Sequence, residues 1–234
     1  MKIKQITFLT TGALAALALT AVSFFHTSQI SAANPSGVYQ TAQEAKLTPQ
    51  ELTGTYNFDR AHSHIGFRIM HMGLAEIPGN FTDYTGTINY DGNDVTKSSV
   101  EFSAKVTSIN TGVERRDDHL RNADFFEVAK YPEMTFKSTK IEKKGKNGFV
   151  AVGDFTLKGV TKQIALPFTV NGVLKDQRGG IKIGASALTT INRRDYGITW
   201  GSTLPSGVQS LSDNVNINIQ IEAAKQMPKP AAGE

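Results

Sequence analysis

The chain has 234 residues, enough for one large β domain or two small ones, and nothing in its middle reads as a linker, so one domain is expected. Hydrophobic residues at 39% and charged residues at 20% exclude wholesale disorder, and a formal charge of +4, which includes Lys2 and Lys4, is too small and dispersed to argue for nucleic acid. The absence of cysteine excludes disulfides, thiol catalysis, thiolate metal sites and a lipidated N-terminal cysteine.

In chain order, those two lysines precede an apolar run from about Phe8 to Phe25 and the small residues Ser31, Ala32 and Ala33. This is the pattern of a secretory signal peptide, residues 1–33, cut near Asn34. An uncleaved anchor is the alternative, because the run approaches spanning length. Thr10, Thr11, Gly12 and Thr20 dilute it and favour cleavage, after which no integral membrane span is expected. Residues 34–51, rich in Ala, Thr, Gln and Pro, read as a flexible lead-in with a short helix around Ala42 to Lys46. Residues 225–234, with Pro228 and Pro230, read as a tail. The folded body spans 52–224.

That body is almost entirely strand. A short strand, Thr55 to Phe58, precedes one from Ser63 to Met72 with Ile65, Phe67 and Ile69 on one face. A turn at Pro78 and Gly79 should lead to Phe81 to Tyr90, and Asp91 to Asp94 should close a hairpin. Val100, Phe102, Ala104 and Val106 then alternate with Glu101, Ser103, Lys105 and Thr107. From Glu114 to Asn122 the two-residue period gives way to dense charge, and a short helical insertion is expected. Phe125 and Phe126, just beyond it, are either a plug for one barrel end or part of a ligand doorway. Strands resume at Met134 to Glu142 and Phe149 to Leu157, followed by one that Gly159 and Thr161 introduce and that runs through Phe168, and by Ile181 to Ile191. Pro167 is awkward inside a strand and suggests a bulge. The clearest strand is Asn214 to Glu222, where Val215, Ile217, Ile219 and Ile221 alternate without exception with polar residues. About eight long one-sided strands imply an all-β fold, a closed or nearly closed antiparallel barrel whose apolar faces meet in one interior.

Five strings give the sequence a more specific likeness: DRAHSHIGFRIMHMG, TGVERRDDHL, DFFEVAKYPEMTFKST, GDFTLKGVTK and INRRDYGI. In that order they resemble the YceI-like family of exported bacterial proteins, over about Leu52 to Ala224. The resemblance implies an extended eight-stranded antiparallel lipocalin-like barrel that resides in the periplasm and carries or stores, without catalysis, a long isoprenoid, quinone or fatty-acid derivative in its lumen. Candidate lumen residues are Phe67, Ile69, Phe81, Phe102, Phe136, Phe155, Phe168 and Trp200, with Phe125 and Phe126 near an opening. Each has core packing as its plain alternative, and a barrel wholly filled by its own side chains would make the protein structural or stress-related. Burial of two or three isoprene units is worth about 8–12 kcal/mol gross, at about 0.8 kcal/mol per CH₂. No cofactor is called for, the partner is an amphiphilic lipid, and a homodimer is compatible with the sequence.

Competing chemistry is weaker. His62 and His64, two apart in a strand, would share a face in metal-ligand spacing, yet nothing completes the set, so no metal is expected. A hydrolase would need Ser63 as nucleophile with His119 and Asp117 or Asp118, but Ser63 lacks a glycine-flanked elbow. Arg116, Asp117 and His119, like Asn192, Arg193 and Asp195, also fit ion pairs that tie a helix or loop to the barrel rim.

Overall fold

The structure, a computed structural model, describes residues 47–145 and 148–226. The signal peptide, the helix expected at Ala42 to Lys46, the centre of the Lys143 to Gly148 hairpin and the tail beyond residue 226 lie outside them.

Eleven strands are formed among the described residues: β1 (Gly54–Phe58), β2 (His64–His71), β3 (Ala75–Phe81), β4 (Tyr84–Tyr90), β5 (Ser99–Lys105), β6 (Ile109–Asn110), β7 (Glu133–Lys144), β8 (Gly148–Leu157), β9 (Val160–Lys175), β10 (Ile181–Asn192) and β11 (Leu211–Lys225). All pairings are antiparallel. The ring β1-β4-β5-β7-β8-β9-β10-β11 closes through β1 with β11, giving the eight-stranded barrel. The extra three strands are continuations. β2 extends β1 along β11, β3 extends β4 along β2, and β6 extends β5 along β3. The barrel is thus a simple meander of eight staves, three of them broken in the middle. At about 3.3 Å per residue, the 16 residues of β9 run about 50 Å, or about 40 Å of barrel height at a tilt of 35–45°.

The breaks have local causes. Between β1 and β2, residues Arg60–His62 make a 3₁₀ turn capped by Asp59, whose carboxylate accepts from Ala61 N at 3.0 Å. Ser63 Oγ then donates to Glu222 O at 3.1 Å and accepts from Glu222 N at 3.0 Å, stitching the corner to β11 where β11 changes partner. Tyr84 Oη donates to Ser63 O at 2.8 Å from the neighbouring stave.

Several expectations require correction. Pro78 and Gly79 are not a turn but lie within β3, opposite Arg68 and Phe67. On its other side β3 pairs only at Asn80 and Phe81, so Pro78 sits on an edge where its missing N–H is harmless. The turn is Met72–Leu74 instead, with Met72 and Gly73 at φ 52° and 68°. Pro167 is not bulged either. The extra residue in β9 is Asn171, where Gly184 opposes Gly172 but Ala185 opposes Val170. A turn of helix, α1 (Pro49–Leu52), precedes the barrel, and the helical insertion of the charged segment keeps its place as α2 (Glu114–Arg121).

α1 corrects the picture of a flexible lead-in up to residue 51. A capping box between Thr48 and Glu51 starts it, and Leu47 and Leu52 pack against the core. Tyr56, fully buried, donates to Leu52 O at 2.7 Å and meets Tyr90 edge-on at 6.2 Å. Lys175 Nζ donates to Glu51 Oε1 at 3.1 Å from β9. These contacts gather at one end of the barrel.

Candidate functional site: an apolar lumen

Alternation places one set of side chains from every stave inside. In a filled barrel these would all be buried, but here Phe67, Ile69, Phe102, Phe126, Phe155 and Phe168 keep part of their surface open. They surround a cavity of about 500 Å³, within the range of small-molecule sites. All ten lumen candidates lie on its wall: Phe67 and Ile69 from β2, Phe81 from β3, Phe102 from β5, Phe136 from β7, Phe155 from β8, Phe168 from β9, Phe125 and Phe126 after α2, and Trp200 from the loop after β10. Phe81, Phe125 and Phe136 are buried, and Trp200 is 40% exposed. Ala104, inward by alternation, is not on the wall; it is packed between Tyr84 and Met134.

Sequence reasoning omitted much of the opposite wall. Ile164 and Leu166 on β9, Ile183 and Ile191 on β10, and Ile217 and Ile219 on β11 face the cavity. The signal was present, since the alternation of β11 is the clearest in the chain.

The α2 end is built from aromatic and charged groups. His119, Phe125 and Trp200 meet pairwise with ring centroids 5.1–5.2 Å apart, and Phe126 packs edge-on against Phe81 at 6.1 Å. Phe125 and Phe126 therefore serve as packed wall at this end. His119 Nε2 lies 2.8 Å from Asp124 Oδ2. Arg116 reaches the cavity edge while donating to Thr111 Oγ1 at 2.7 Å and Thr111 O at 2.8 Å. Buried Asp117 accepts from Thr111 N at 2.9 Å.

Arg193 is only 3% exposed and is the principal strut of the loop. It donates to Ser212 O and Ile198 O, each at 2.9 Å, and to Trp200 O at 2.6 Å, with Asp213 Oδ1 at 3.4 Å. Burial lowers its pKa, a tendency opposed by Asp213 and reinforced by Arg194. The expected rim ion pairs are thus mainly charged groups bonded to backbone and to Thr111. Asp195 does make an ion pair, 3.2 Å from Lys162 Nζ, and Asn192 caps the 3₁₀ turn of Arg193–Tyr196.

The Ser63–His119 hydrolase grouping is not joined, and in place of the histidine pair the structure gathers Asp59, His62 and Glu222, whose ligand-type atoms lie within 4.8 Å of one another. Ser63 is occupied with Glu222, His119 with Asp124 and Asp118 with Arg121, and no hydrogen bond joins Ser63 to His119 among the described residues. His62 and His64 do not share a strand face, because His62 belongs to the 3₁₀ turn. His62 instead meets Asp59 at 2.8 Å and Glu222 at 3.9 Å, and the Lys182 ammonium sits 2.5 Å from Glu222 and 3.8 Å from Asp59 as their counter-charge. No helix among the described residues is long and apolar enough to cross a membrane.

A closed up-and-down barrel of eight antiparallel strands around an apolar hollow defines a lipocalin-like class of protein. Residues 56–223 match the family model described as the YceI-like domain. The chain belongs to the YceI-like family. A UPF0312 protein of Shewanella sp. (strain ANA-3) is 34% identical over 173 residues, which cover 73% of this chain and 87% of the relative. Among solved structures, the Campylobacter jejuni YCEI protein is 37% identical with a TM-score of 0.61, over 72% of this chain and 96% of that one. A polyisoprenoid binding domain from Saccharophagus degradans shares the fold at 17% identity and TM-score 0.55, over 73% of this chain and 98% of that one.

Proposed function

We propose that this protein binds a long-chain isoprenoid or similar amphiphilic lipid in its barrel and carries or stores it without catalysis, in the periplasm after loss of the signal peptide. The carrying observation is the hollow: inward phenylalanines and branched aliphatics stay partly exposed around a cavity of about 500 Å³. Few polar side chains reach that wall, and Nε and Nη2 of Arg116 and the guanidinium of Arg193 are already engaged with protein acceptors. An interior of this kind recognises hydrocarbon by burial and shape, with loose selectivity for tail length. The description of the Saccharophagus neighbour as polyisoprenoid-binding supports the ligand class.

The test is native mass spectrometry and lipid extraction of protein purified from its own host, with N-terminal sequencing of the osmotically released fraction. A stoichiometric isoprenoid or related lipid on a chain beginning near Asn34 is the expected result. Lipid-free protein that also takes up no all-trans-retinol from vesicles would refute the binding role, and a chain retained in the cytoplasm would refute the address.

A further inference from the structure

The seam between β9 and β10 is open over part of its length. The strands pair from Ile181 with Lys175 as far as Ala187 with Phe168, with the one skip at Asn171. Beyond that pair, no residue of 160–167 is matched with any of 188–192, although β9 still holds β8 and β10 still holds β11 throughout both runs. Pro167 accounts for the stop. The β8 ladder passes it unbroken, Val150 opposing Pro167, so the missing N–H belongs on the β10 side. Continued register would have set Pro167 against Leu188. The gap is bounded further along by the ion pair of Lys162 with Asp195 at 3.2 Å.

The surroundings give this gap a chemistry. On its inner side stand the lumen residues Ile164 and Leu166 of β9 and Thr189 and Ile191 of β10, none of them buried. On its outer side Ala165, Pro167 and Leu188 are exposed, Leu188 by 69%. Apolar side chains thus stand on both faces of the unpaired stretch, Ile164, Leu166 and Ile191 within and Ala165, Pro167 and Leu188 without. At the barrel ends, by contrast, passage of a lipid would have to undo contacts: Tyr56 and its bond to Leu52 at the α1 end, and the Phe125, His119 and Trp200 cluster that Arg193 anchors at the α2 end. Opening the seam at Pro167 breaks no ladder bond.

We propose that the gap between β9 and β10 beyond the Phe168–Ala187 pair is a lateral portal through which the hydrocarbon tail of an amphiphilic lipid enters and leaves the lumen. The proposal rests on the lumen-binding reading above. The cysteine-free chain allows a direct test. Ala165→Cys with Thr190→Cys places two thiols across the gap, to be joined by a short bismaleimide; Leu174→Cys with Lys182→Cys, a registered pair on the closed part of the same seam, is the control. Uptake of all-trans-retinol from phosphatidylcholine vesicles is followed by fluorescence. Linking 165 to 190 should slow uptake at least about ten-fold, protein loaded before linking should retain its retinol, and linking 174 to 182 should change neither. Leu188→Glu, which needs no linkage, should slow uptake from the same vesicles while leaving the amount bound at equilibrium unchanged. Uptake at the unlinked rate by the 165–190 linked protein would overturn the portal, assign entry to a barrel end and leave lumen binding intact. Failure of the unmodified protein to take up retinol at all would overturn lumen binding and the portal with it.

Discussion

Ala151 is the sharpest place to narrow the bore. Its side chain is 1% exposed, stands opposite Ile141 on β7 and Leu166 on β9, and borders the cavity. Replacing it with Trp adds an indole where a guest would lie. Aromatic side chains of this size bury about 150–250 Å². If half of that area displaces contact between wall and guest, about 75–125 Å² is lost, or about 2–3 kcal/mol at about 25 cal/mol per Å². Retinol affinity should then fall by about 30- to 150-fold. Ala104→Trp is the internal comparison, since Ala104 is equally buried but has no cavity beside it and would overpack the core at about 1–3 kcal/mol or more. Fluorescence titration with retinol and urea unfolding of both variants read the two effects apart. A stably folded Ala151→Trp protein that binds retinol with unchanged affinity would show that the guest does not occupy the bore between β7 and β9, and the reasoning would fail there.

Other consequences are equally measurable. Burial, with a smaller contribution from Tyr90, pushes the Tyr56 hydroxyl up to about 12; an acid whose folded pKa is raised gives stability that is complete below pH ~10 and lost as pH climbs toward 12, here on the order of 2 kcal/mol. Alkaline urea titrations should show that decline, and Tyr56→Phe should reduce it. Arg193→Ala leaves the carbonyls of Ser212, Ile198 and Trp200 without their donor and should lower stability by about 3 kcal/mol. Trp200 is the chain's single tryptophan, so its emission should shift to the red in the same variant as the loop loosens. Gly79→Ala would set a methyl 2.3 Å from the Phe67 ring, driving that ring toward the lumen; a stability loss of about 1–3 kcal/mol and weaker retinol binding should accompany it in the same two assays.

What could be read from residues was whatever parity controls. The two-residue period located β7 to β11 and put seven side chains on the wall, Phe67, Ile69, Phe81, Phe102, Phe136, Phe155 and Phe168, because an inward position in a one-sided strand is inward whatever the barrel contains. Parity says nothing about radius. Whether inward residues meet at the centre depends on strand number, tilt and stagger, and this is why Ala104 and Ala151 look alike in sequence and differ in the fold. Composition misled where neighbours decide the outcome. Pro78 with Gly79 has turn chemistry but lies on a free edge, and His62 with His64 has ligand spacing only if the strand is unbroken. The helix that brings Leu52 to Tyr56 did have a local signature, the Thr48–Glu51 capping box, which lies inside a stretch whose composition reads as flexible, whereas the bonds of Arg193 to the carbonyls of Ile198, Trp200 and Ser212 leave no pattern in residue types.

The hollow itself argues for a guest. In protein cores an unfilled apolar space destabilises by about 24 cal/mol per Å³. Were a cavity of about 500 Å³ closed and dry throughout, that rate would set an upper bound of about 12 kcal/mol, comparable with the whole stability of an ordinary domain, about 5–15 kcal/mol. Water entering through the gap at Pro167 or past Trp200 would reduce the penalty but would wet phenylalanines. A hydrocarbon chain removes both difficulties, and its gross burial energy of about 8–12 kcal/mol is of the same size. Occupancy should therefore raise the stability of the barrel in proportion to the logarithm of free lipid. A protein serving only as a structural body would gain more from a larger side chain at Ala151 or Ala185 than from the space those alanines leave open.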